Sequence, residues 1–138
     1  MKKEKQKELT DKYPELFTGK FTTGFQCRDG WFELLDNLCG CIYNYCDYKK
    51  LDEGFRWPRV VYLKEKFGSL SILTEDGDDE KIWGMICLAS YMSRRTCEFC
   101  GRTVNVGRTY GQWIYTICEV CREKNPRALE LEWEPSED

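Results

Sequence analysis

Two Cys-x-x-Cys pairs, Cys97-Glu98-Phe99-Cys100 and Cys118-Glu119-Val120-Cys121, stand seventeen residues apart in a chain of 138. Two residues between thiolates let the backbone turn as a knuckle that aims both sulfurs at one tetrahedral ion. A gap of this length has room for the short hairpin that brings the second knuckle to the same ion. Disulfides are the alternative, but Cys-x-x-Cys disulfides are redox-active and sit beside a strand–helix unit, not as two matched pairs. Cys97, Cys100, Cys118 and Cys121 are therefore expected to hold a structural Zn2+. All four positions are thiolate, so the site is closed and leaves no place for substrate.

The chain has no histidine. That excludes a Ser-His or Cys-His dyad, an imidazole base and a catalytic zinc held by histidines. An enzyme would have to use carboxylates, Lys, Tyr or an unpaired Cys, and no carboxylate pair can be given a catalytic geometry from sequence. No apolar run reaches membrane-spanning length, since Ile82 to Met92 is interrupted by Gly84 and Ser90. The start, Met1-Lys2-Lys3-Glu4-Lys5, lacks the apolar stretch of a signal peptide. Nine cysteines without a secretory signal point to a reducing cytoplasm, where thiols serve metals or cores.

Hydrophobic residues at 41% and charged residues at 33% suit one compact domain. Lys2 to Phe17 reads as a charged helix disturbed by Pro14. Asp29 offers an N-cap, and Phe32, Leu35, Leu38, Cys39, Ile42, Tyr45 and Cys46 recur at steps of three and four, which predicts an amphipathic helix over about 30–49. A linker over 52–58 leads to a hairpin, 60–64 and 70–74, turned at Phe67-Gly68-Ser69. The acidic run Glu75 to Glu80 loads negative charge onto the start of a second helix, whose buried stripe is Ile82, Met85, Ile86, Ala89 and Met92. Between the cysteine pairs, 103–108 and 112–117 read as two short strands. After Cys121, Pro126 limits any helix to a turn or two. The expected architecture is α+β: two helices on a small antiparallel sheet, with a C-terminal four-Cys zinc ribbon or treble-clef-like finger. Three segments result: an α+β core with an N-terminal helix (1–93), a zinc module packed on it (94–126) and an acidic tail (127–138).

Five other cysteines, Cys27, Cys39, Cys41, Cys46 and Cys87, read as buried thiols, which behave as small apolar side chains. Aromatics reach 14%, and several fall outside the obvious core: Trp57 within Phe55-Arg56-Trp57-Pro58-Arg59, Tyr110 and Trp113 in the zinc loop, and Trp133 in the tail. Rings at such places fill small cores, but they also stack bases and anchor protein interfaces. Residues 94–127 hold seven cations against three anions, including Arg94, Arg95, Arg102 and Arg108. A zinc ion with four thiolates carries about −2 and leaves this segment weakly positive. The net charge of −3 makes the whole chain a poor non-specific duplex binder, although one or two phosphates could sit on the finger. Residues 128–138 carry five anions and no cation, and this end reads as a solubilising tail or as a surface for a basic partner.

The order of motifs resembles a family of small uncharacterised zinc-finger-containing proteins of tailed bacteriophages and prophages. The likeness runs through Lys12-Tyr13-Pro14-Glu15-Leu16-Phe17, Gly30-Trp31, Leu38-Cys39 and Lys64-Glu65-Lys66-Phe67-Gly68-Ser69-Leu70. It continues through Cys97-Glu98-Phe99-Cys100-Gly101 and Gly111-Gln112-Trp113 to Cys118, covering about residues 10–125. This chain departs from the pattern at Ser71, where a basic residue is expected, and in its acidic end. The resemblance implies a phage accessory protein working in the cytoplasm of the bacterial host cell, and it supplies no activity.

Three functions are set apart by these observations. The first is a non-enzymatic protein that binds a host macromolecule, a host protein above all, to inhibit a bacterial defence system. The second is a binder of a nucleotide signal or nucleic acid, with Arg56, Trp57, Arg59, Arg94, Arg95, Arg102, Arg108, Tyr110, Trp113 and Trp133 as its ligand- or partner-binding residues. The third is a carboxylate-dependent enzyme.

Overall fold

A computed structural model describes residues 1–19, 21–77 and 79–136. Its elements run α1 (Lys3–Lys12), β1 (Phe25–Gln26), a 3-10 turn (Asp29–Trp31), α2 (Phe32–Lys49), β2 (Arg59–Lys66), β3 (Ser69–Glu75) and α3 (Glu80–Ser93). They continue with β4 (Val106–Tyr110), β5 (Thr116–Cys118), α4 (Glu119–Glu123), α5 (Pro126–Leu129) and β6 (Glu132–Pro135). The fold is α+β, as the sequence predicts.

Trp31, fully buried, sits where the chain enters α2. The inward face of α2, Leu34, Leu35, Leu38, Cys39, Ile42 and Cys46, follows the predicted spacing. Asp29 does not cap this helix. Its Oδ1 accepts the Lys2 backbone N–H at 2.7 Å, and so caps α1 from across the chain. Strands β2 and β3 pair antiparallel from Arg59↔Glu75 to Lys66↔Ser69, and β1 adds two residues parallel to β2. The turn residues Phe67 and Gly68 have φ of 52° and 75°. Both lie in the left-handed region that a two-residue hairpin loop needs for its twist to match the strands. Glycine takes it without strain; Phe67 takes it with its ring exposed.

Helix α3 starts where the acidic run places it. The Asp79 side chain accepts the backbone N–H groups of Lys81 and Ile82, both at 3.0 Å. The helix packs on β3 and on α2 through Ile82, Ala89 and Ser93, with Met85 and Ile86 half-buried. Met92 corrects the expected stripe: it is 48% exposed, and Trp83, Leu88 and Tyr91 are more exposed still. The thiols divide as well. Cys27, Cys39 and Cys46 are buried, where burial pushes the first two up to about 12 and Cys46 up to about 11, whereas Cys41 and Cys87 are exposed.

The second sheet has the order β5-β4-β6, all antiparallel. Residues 132–135, read from sequence as part of an acidic tail, form its edge strand. Gly107 makes that pairing possible, because a Cβ there would lie 2.2 Å from the Glu134 carbonyl oxygen and 2.5 Å from the Trp133 ring. The Trp133 indole N–H donates to the Ile117 carbonyl at 3.2 Å, and the Arg122 guanidinium lies over the Trp133 ring.

Candidate metal centre

The Sγ atoms of Cys97, Cys100, Cys118 and Cys121 lie within 4.8 Å of one another and could hold one metal ion. Cys100 Sγ and Cys118 Sγ are 3.7 Å apart. That matches the edge of about 3.8 Å expected for a tetrahedron with metal–sulfur bonds of about 2.3 Å, and is far beyond a disulfide bond of about 2.05 Å. All nine cysteines are free thiols.

Local structure explains why the sulfurs converge. In the first knuckle the Cys97 carbonyl accepts the Gly101 N–H at 2.8 Å, and Gly101 takes φ 79°, so the chain reverses immediately after Cys100. The hairpin of β4 and β5, with Val106 opposite Cys118, carries the second pair back. Cys118 ends β5 and Cys121 lies in the first turns of α4. A knuckle, a hairpin and a helix start make the treble-clef-like alternative, not the ribbon. Burial pushes the Cys97 thiol up to about 11 and raises Cys121 further. Burial opposes ionisation of Cys100 too, but N–H donation from Arg102 and hydrogen bonds from the other three thiols outweigh it and leave that thiol below its ordinary value.

The knuckle is seated on the core. Gly30 N–H donates to the Glu98 carbonyl at 2.9 Å, and Trp31 Nε1 donates to the Thr96 carbonyl at 2.8 Å. On the other side Thr116 Oγ1 donates to the Gly68 carbonyl, and Arg108 Nη2 donates to the Phe67 carbonyl at 2.5 Å. The β2–β3 turn and the 3-10 turn thus grip the finger from two directions.

The other predicted site residues do not gather. Arg59 is paired with Glu75 and Asp76 beside β3. Trp57 packs between Tyr43 and Phe55, and Arg56 lines a separate hollow with Tyr45 and Asp79. Arg94 and Arg95 are exposed at the end of α3, Arg102 follows the first knuckle, and Arg108 supports the hairpin turn. Tyr110 is partly exposed on β4, and Trp133 serves the second sheet.

Trp113 is different. It is 52% exposed and forms a wall shared by two adjoining cavities of about 370 and 260 Å3, where the finger meets β2. Glu65 lies in both, Phe67 and Lys66 in the first, and Arg28, Glu98 and Tyr115 in the second. Glu98 is buried, and its carboxylate meets Arg28 Nε at 3.6 Å. Burial pushes that carboxyl up to about 8, with Arg28 opposing and Glu65 adding to the rise. The Arg28 guanidinium in turn lies over the rings of Phe99 and Tyr115. Sequence reasoning found Trp113 but missed Glu65 and Glu98. A carboxylate between the two cysteines of a knuckle carries no mark of burial, and Glu65 looks like one charge in a charged strand.

No protein-family description, curated protein or solved structure matches the chain. Among the described residues, no helix is long and apolar enough to cross a membrane.

Proposed function

We propose that the four cysteines hold one structural Zn2+, and that the chain is a non-enzymatic binding protein whose Trp113 cleft receives a basic segment of a host protein. As a phage accessory protein it would act in the bacterial cytoplasm and block a defence system. A donor set of four thiolates with no nitrogen or oxygen ligand suits zinc, which takes such sites in closed tetrahedral form.

One observation carries the binding reading: a half-exposed tryptophan stands between two cavities that share the carboxylate of Glu65. Tryptophan in a pocket at a seam is the residue type that dominates interface energetics. Glu65 lines both cavities and favours a lysine or arginine of the partner; Arg28 is taken up by the buried Glu98 and the Phe99 and Tyr115 rings, and none of the candidate arginines lines either cavity. The protein-partner reading is therefore preferred to the nucleotide reading.

The test compares capture from host lysate by the intact chain, by Trp113→Ala and by Glu65→Lys, after checking that the variants keep the same melting temperature. A partner held by the intact chain and lost by both variants supports the reading. Equal capture by all three refutes it. A rise in melting temperature with cyclic dinucleotides, abolished by Trp113→Ala, would replace it with the nucleotide reading.

A further inference from the structure

We infer that the outward face of α3 is a two-fold interface at which a second copy of this chain packs antiparallel, with Cys87 at the axis. This goes beyond the Trp113 cleft and does not rest on it. Ile82, Ala89 and Ser93 turn α3 inward. The opposite side, at steps of three and four, carries Glu80, Trp83, Gly84, Cys87, Leu88, Tyr91 and Arg94. Trp83 is 68% exposed, Leu88 60% and Tyr91 60%, an apolar stripe on a surface helix that monomers rarely leave bare. It continues round Leu88 and Met92 into a groove of about 340 Å3 between α3 and α2.

Two further observations select the occupant. Gly84 lies in mid-helix, and a Cβ placed there would meet nothing within 4 Å. Within one chain this glycine only weakens the helix relative to alanine. Close approach of another backbone gives it a role, as small residues do at helix pairs. The charges supply the direction. Glu80 opens the helix and Arg94 follows its end, each seven residues from Cys87. Trp83 and Tyr91 each lie four residues from it. An antiparallel pair centred on Cys87 therefore sets Glu80 opposite Arg94 of the second copy twice over, and lays each Trp83 beside Tyr91 of the other helix. A parallel pair would set like charges together.

Light scattering on the metal-loaded chain, measured across concentration, tests this with four variants. The intact chain is expected to be a dimer. Glu80→Arg and Arg94→Glu alone should each weaken dimerisation at least tenfold, and the two together should restore it. Gly84→Gln, placed in open space within the chain, should give a folded monomer. In a Cys41→Ser background, a short bismaleimide should link two chains through Cys87, and Cys87→Ser should abolish the link. A monomer at every concentration overturns the interface, as does a dimer that Gly84→Gln leaves intact. Failure of the double charge reversal to recover the dimer overturns the antiparallel register.

Discussion

Gly30 lies so close to Cys97 that a Cβ on Gly30 would sit 2.2 Å from the Cys97 carbonyl oxygen, and 2.7 Å from the Cys100 amide nitrogen. The contact is mutual, because a Cβ on Gly101 would lie 2.9 Å from the Gly30 carbonyl oxygen. Backbone packs on backbone here, with the Gly30 N–H donating to Glu98. The knuckle and the start of α2 are in effect one piece, which gives the Gly30-Trp31 and Cys97 to Gly101 motifs a shared physical reason.

Gly30→Ala is accordingly expected to lift the knuckle off the core. The added methyl meets backbone rather than a flexible side chain, so a loss of about 1–3 kcal/mol follows. Urea unfolding should show a lower midpoint, and a chelator should remove the metal faster than from the intact chain. An unchanged midpoint would mean that the two segments are not tightly seated.

Ser93 is fully buried, and its Oγ accepts the Leu70 N–H while donating to the Ser90 carbonyl at 2.6 Å. Ser93→Ala leaves the Leu70 N–H unpaired in the core, a change that costs about 1–3 kcal/mol. Hydrogen exchange at the Leu70 amide should accelerate by the corresponding factor.

The helix over 32–49, the β2–β3 hairpin and the four-cysteine cluster are legible because each announces itself locally: a 3.6-residue rhythm, an alternation, a two-residue spacing. What escaped was set by distant partners. Strand β1 is two residues long and exists only through pairing with Leu63 and Lys64, too short for any periodicity. The alternation of Leu129, Leu131 and Trp133 was visible, yet its destination depends on Gly107, more than twenty residues earlier. Asp29 has the chemistry of a cap, and only the tertiary fold decides that it caps Lys2. Met92 keeps the three- and four-residue spacing of Met85 and Ala89 and so reads as part of the buried stripe, yet it is exposed at the end of α3. The arginines were grouped by sequence density, but the fold spreads them over the hairpin turn, the helix end and β2.

Trp133→Ala tests whether the last strand is structural. Its indole covers Gly107 and donates to Ile117, so its removal should cost about 1–2 kcal/mol and loosen β6. A tail that only keeps the chain soluble would lose nothing measurable in thermal unfolding.

Asp36 links helix α2 to α1. It accepts Lys12 Nζ at 2.8 Å and Tyr13 Oη at 2.7 Å. Burial alone would raise its carboxyl, but these hydrogen bonds outweigh burial and hold it below the ordinary carboxylate range. A folded-state value below the unfolded one, about 3.9, gives stability that is present above that pH and lost as pH falls through the folded value. The difference in melting temperature between the intact chain and Asp36→Asn should therefore be largest near neutrality and shrink toward pH 3. Metal lost in acid affects both proteins alike, so the difference remains the readout. A gap that stays constant would contradict the linkage.

Native mass spectrometry combined with elemental analysis of the reduced, tag-free chain tests the central claim most directly, that four thiolates clamp one zinc and so hold the finger in shape. One zinc per chain is expected, lost on Cys97→Ser or Cys121→Ser and kept on Cys41→Ser, with hydrogen exchange after chelation rising over β4, β5 and α4. Absence of a bound metal, or a finger that stays protected once the metal is stripped, would contradict it.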